Sequence, residues 1–125
     1  MKINIKIVFV ITFLMSICSF GQGISYDAWH EKMENAKMAL EEGNTAIAQR
    51  KYEGALNIVK YVLYGLQMKG GSEADQKTAI EKLRETLTPL VSIYVDTKNY
   101  VKLFGIAEQG VQVTNFYFSL KNHRL

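Results

Sequence analysis

Apolar residues fall at Trp29, Met33, Ala36, Leu40, Gly43 and Ile47, in alternating steps of four and three, which traces one stripe of an α-helix rather than the two-residue period of a strand. Ser25 and Asp27 offer side-chain oxygens to the free N–H groups at the start of that helix. Ala36, Ala39, Gly43 and Ala46 lie along a neighbouring line of small residues where another helix can approach, which accounts for a glycine inside the helix despite a cost of ~1 kcal/mol relative to alanine. A second stripe, Tyr52, Ala55, Leu56, Val59, Leu63 and Leu66, predicts a helix from about Tyr52 to Met68, closed by Lys69-Gly70-Gly71. Gln49-Arg50-Lys51 contains no helix breaker, so one helix from Asp27 to Met68 also fits the pattern, although more than about 40 residues is long for a compact domain.

Ser72 is placed to cap a third helix, with Glu73 in its first turn and Ala79, Leu83, Leu87, Leu90 and Tyr94 on its apolar face. Pro89, the only proline, either kinks this helix or ends it near Glu85 and restarts it with Thr88 as cap. A fourth helix is predicted from near Asn99 to about Ser119, with Val101, Phe104, Ala107, Val111 and Phe118 at helical spacing, before a polar tail over 121–125. No stretch alternates at period two for more than a few residues. The expected fold is therefore all-α: about four antiparallel helices in two helical hairpins, forming a single domain over 27–120.

The start of the chain carries a different signal. Lys2 and Lys6 lead into an apolar run from Ile7 to Phe20, the pattern of a secretory signal peptide over 1–21. That run is shorter than the roughly 20 apolar residues that span a bilayer core. Ser19 and Gly21 are the small residues before a cut between Gly21 and Gln22, which leaves 22–26 as a short lead. Cys18, the single cysteine, lies inside the signal; a lipid anchor at Cys18 is disfavoured because Ile17 stands where lipoprotein signals carry a small residue. The expected product is a cysteine-free chain of about 104 residues, periplasmic or secreted, that depends on packing alone.

Charge narrows the partner class. Lys2 and Lys6 account for two of fifteen basic residues against twelve acidic ones, so the mature chain stands near +1. Basic and acidic residues alternate, as in Glu31-Lys32-Met33-Glu34, which describes solvated helix faces rather than a nucleic-acid stripe. Catalytic combinations are scarce: His30 and His123 are the only histidines, and no nucleophile elbow, phosphate-binding glycine loop or zinc-protease motif is present. His30 and Glu34 share a helix face, but two groups one turn apart make a poor metal site without further ligands. Neither cofactor nor metal is expected, and the chain reads as non-enzymatic.

Two stretches line up with one another: Gly43-Asn44 through Lys51-Tyr52-Glu53-Gly54-Ala55-Leu56, and Leu90 and Tyr94 through Lys98-Asn99-Tyr100-Val101-Lys102-Leu103. Both resemble tetratricopeptide repeats, helical hairpins with a Gly-Asn-like pair in the first helix and a tyrosine opening the second. Tyr52 and Tyr100 match the tyrosine, Ala55 the small residue after it, and Leu90 and Tyr94 the large packing residues. The departures are Glu42 where the family has a large apolar residue, Leu103 in place of the small one, no closing proline, and tyrosines 48 positions apart where adjacent repeats give about 34. A plain four-helix bundle is the alternative.

The resemblance implies a peptide-facing surface on the first helix of each hairpin: Lys37, Leu40, Asn44 and Ile47, then Glu85, Thr88 and Ser92. Lys37 and Asn44 could hold a peptide carboxylate through charge and amide donors. Asn57, Tyr61, Tyr64 and Met68 form a further stripe on the second helix, read first as a second core face and otherwise as a partner site. The expected function is a protein-protein adaptor or scaffold. The alternatives are an inhibitor or immunity-type protein that binds one exported partner, and a small ligand-binding bundle.

Overall fold

A computed structural model describes residues 24–110. It is all-α, and the described residues contain no strand. Helix α1 spans Asp27–Glu41, α2 spans Thr45–Lys69 and α3 spans Glu73–Asp96; α4 is helical over 100–110, where the description ends. Turns of three residues reverse the chain between successive helices, and α2, about 37 Å long at helical rise, packs against both α1 and α3. The predicted leader, the Gly21–Gln22 cleavage site, Cys18, and the end of the fourth helix with Val111 and Phe118 lie outside the described residues.

The first turn corrects the expected helix boundaries. Gly43 is not inside a helix: it sits at φ +79°, where a Cβ is disfavoured, and closes α1. The Gly43 N–H donates to the Leu40 carbonyl at 3.0 Å and the Asn44 N–H to the Ala39 carbonyl at 2.8 Å, a Schellman closure. Asn44 then caps α2, its side chain accepting from the Ile47 N–H at 3.4 Å. Helix α2 consequently starts at Thr45, and Gln49-Arg50-Lys51 lies inside it.

The same construction recurs at the other hairpin. Lys98 takes the glycine's place at φ +56°, the Asn99 N–H donates to the Tyr94 carbonyl at 2.8 Å, and the Asn99 side chain accepts from the Lys102 N–H at 3.3 Å. By these turns Gly43-Asn44 corresponds to Lys98-Asn99. Tyr52 and Tyr100 occupy unlike positions, Tyr52 buried within α2 and Tyr100 exposed at the first residue of α4. The middle turn matches expectation: Gly70 at φ +64° ends α2, and the Ser72 hydroxyl accepts from the Asp75 N–H at 3.1 Å. Pro89 neither splits nor ends the third helix, which continues through it to Asp96.

The core is one cluster built from all four helices, and the second helix contributes every residue of its predicted stripe. Two other faces are turned relative to the periodic reading. On α1 the buried line is Trp29, Met33, Ala36 and Ala39, so Leu40 is 41% exposed and Ile47 lies outside, at the start of α2. Small Ala36 and Ala39 of α1 share the core with Ala48 and Ala55 of α2. On α4 the buried residue is Ile106, with Leu103 half-buried beside it, whereas Val101 and Phe104 are exposed. Leu103 and Ile106, four and seven positions after the Asn99 cap, are the α4 residues on the core side.

Candidate partner-binding groove

Helices α1 and α3 both lie on α2, and one buried hydrogen bond joins them directly: Trp29 Nε1–H donates to Thr86 Oγ1 at 2.8 Å. Thr86 accepts because its own proton is committed, its hydroxyl donating to the Lys82 carbonyl at 2.7 Å. The Lys82 ammonium lies 4.6 Å from the Trp29 ring centroid, where the π-face attracts a cation. This tie holds the two helices together at one end. Beyond it they leave an open groove of about 890 Å³.

Five of the seven residues implicated by the repeat resemblance line this groove: Lys37 and Leu40 from α1, and Glu85, Thr88 and Ser92 from α3. Met33, Tyr52, Pro89 and Ile93 form its apolar floor and Thr45, Asp96 and Thr97 complete the open end. Asn44 and Ile47 do not line it. Asn44 is occupied as the cap of α2, so the expected pairing of Lys37 with Asn44 around a carboxylate is not assembled. The sequence did not single out Tyr52 or Pro89 for the groove, because both read as structural residues. A Pro89 flanked by Thr88 and Ser92 on one helix face is the signal that could have found the α3 wall.

The second implicated stripe is also corrected. Asn57, Tyr61, Tyr64 and Met68 are all exposed, Tyr61 at 83%, so they form no second core face; Ile58 and Val62, half-buried, take that role. Asn57 borders a smaller cleft of about 260 Å³ between α2 and α4. There Glu53 ties α2 to α4: it accepts from Gln49 Nε2 at 2.9 Å and pairs with Lys102 Nζ at 3.1 Å, and Tyr94 of α3 lines the same cleft. Burial of the Tyr94 ring, reinforced by that carboxylate, pushes its pKa up to about 12. Burial likewise raises Tyr52.

Among the described residues, no three His, Cys, Asp or Glu side chains gather as a metal site, and no helix is long and apolar enough to cross a membrane. Two hydroxyls of the groove are bonded to their own helix: Thr88 Oγ1 donates to the Arg84 carbonyl and Thr97 Oγ1 to the Ile93 carbonyl, each at 2.8 Å. No protein-family model, curated protein or solved structure matches this chain.

Proposed function

We propose that the protein is an exported, non-enzymatic interaction module of tetratricopeptide-like design that takes a peptide segment of a partner in the groove between α1 and α3. The observation that carries this reading is the convergence of Lys37 and Leu40 from one helix with Glu85, Thr88 and Ser92 from another, more than 40 positions away in sequence, on one apolar-floored groove. A groove of that shape suits an extended chain with one or two apolar anchors, and its two-hairpin length implies modest affinity. Export rests on the leader pattern, and mass analysis of the processed protein should find a chain beginning at Gln22.

Groove filling tests the site. Ser92 is exposed and lines the groove, so Ser92→Trp should abolish capture of the native partner from a cell-envelope extract while leaving the melting temperature within a few degrees. A second reading, an inhibitor-type contact through α2, is favoured by the exposure of Tyr61, Tyr64 and Met68. Loss of capture in Tyr61→Ala with Tyr64→Ala, with Ser92→Trp still active, would select it.

A further inference from the structure

The two walls of the groove differ in hydrogen-bonding sense, and that difference specifies the partner. Apart from the Ser92 hydroxyl, which can donate as well as accept, the α3 wall presents acceptors. Glu85 and Asp96 place carboxylates on it, and neither forms an ion pair among the described residues. Thr88 and Thr97 have already donated their hydroxyl protons to helix carbonyls, so toward the groove each oxygen can only accept. Pro89 has no N–H, so it adds no donor to this wall. On the opposite wall Lys37 supplies the one cationic group of the lining. One turn beyond it stands Glu41, and one turn before Glu85 stands Glu81, both exposed. The floor between the walls, Met33, Tyr52, Pro89 and Ile93, is apolar, with Leu40 of α1 beside it.

We infer that the occupant is a cationic, apolar peptide segment, with lysine or arginine side chains donating to Glu85, Asp96 and the two threonine oxygens while an aliphatic side chain rests on the floor. This rests on the groove being the partner site and deepens that reading. It reverses the carboxylate-holding role the sequence suggested for Lys37 and Asn44, since Asn44 is consumed as a cap and Lys37 is outnumbered. A donor-poor or anionic segment would leave the acceptor wall desolvated without partners, an unfavourable exchange.

Three blocked ten-residue peptides test this, each carrying the same two leucines, with lysine and serine, glutamate and serine, or serine alone at the other positions. Titration of the isotope-labelled protein, followed by amide chemical shifts, reads affinity and location together. The lysine peptide should bind about tenfold more tightly than the serine peptide, the expected sum of two partly exposed ion pairs, and the glutamate peptide most weakly. Added salt should shrink the preference. Glu85→Gln with Asp96→Asn should erase it while leaving leucine-dependent binding. Tightest binding by the glutamate peptide, or equal binding by all three with shifts at Leu40 and Ile93, would overturn the cationic partner and spare the groove. Shift changes confined to Tyr61 and Tyr64 would overturn the groove as well. Binding by none of the three, with native capture still lost in Ser92→Trp, would again spare the groove and overturn the cationic segment.

Discussion

Thr86→Val should separate the tie between α1 and α3 from the packing around it. Thr86 is fully buried and Trp29 nearly so, and valine keeps the shape and helical propensity of threonine. The substitution removes the acceptor at 2.8 Å from Trp29 Nε1 and leaves a buried indole N–H with no partner, at a cost of about 1–3 kcal/mol. The hydroxyl's other bond contributes little to that loss, because the Lys82 carbonyl keeps its helical N–H donor. Against a total stability of roughly 5–15 kcal/mol this is a large effect. It corresponds to a fall in melting temperature of about 4–8 °C per kcal/mol for a domain of this size. Urea unfolding followed by far-UV circular dichroism should show a lower midpoint with an unchanged slope, the mark of lost stability rather than altered compactness. Trp29→Phe removes the donor instead, and in that background Thr86→Val should cost less than about 0.5 kcal/mol. Equal costs in the two backgrounds, or a cost below 0.5 kcal/mol in the parent, would refute the tie as a stabilising contact.

Lys98→Gly should stabilise the protein by up to about 1 kcal/mol, since Lys98 holds φ +56° in a turn that Gly43 forms without a Cβ; the urea midpoint reads this, and a decrease would deny that the turn is strained. Leu63→Ala should cost about 2–4 kcal/mol because Leu63 is buried in α2, whereas Leu40→Ala, at a half-open groove position, should cost under about 1 kcal/mol and weaken peptide binding instead. Tyr94, raised to about 12 in the folded chain from an ordinary value of 10.0, contributes stability that is complete below pH 10 and lost as pH climbs toward 12. Tyr94→Phe should flatten that alkaline loss, and ultraviolet titration should show the substitution removing a tyrosine ionisation near pH 12.

Much of the fold was legible because α2 lies at the centre of the packing. A helix buried along its length writes its contacts into the sequence as a continuous stripe, and all six predicted positions from Tyr52 to Leu66 lie in the core. The helices with one free side were read less well. Leu40 and Val101 fit the helical period as well as Ala39 and Ile106 do, and period alone does not say which of two adjacent stripes meets a neighbour. The turn at Gly43-Asn44 was missed for a related reason: an apolar period that happens to run from Leu40 across Gly43 to Ile47 imitates helical continuity. The positive φ of Gly43 and the capping role of Asn44 become visible only with the backbone. The groove was partly legible, since the resemblance named Lys37, Leu40, Glu85, Thr88 and Ser92, while the floor residue Tyr52 required the packing of α2 beneath both walls.

By itself the sequence determined the local choices: helices rather than strands, Ser72 as a cap, Gly70 as a stop, and the central stripe of α2. Those are set by spacing and by the conformational limits of individual residues, which act over a few positions. The tertiary structure alone decided which stripes of α1 and α4 turn inward, that Trp29 and Thr86 meet 57 positions apart, and that Asn44 is spent on a helix end rather than on a partner. It also decided that Thr88 and Thr97 face the groove with only acceptors to offer. Each of these depends on how one helix is rotated and placed against another, and that is fixed by the summed packing of the whole core rather than by any segment's own pattern.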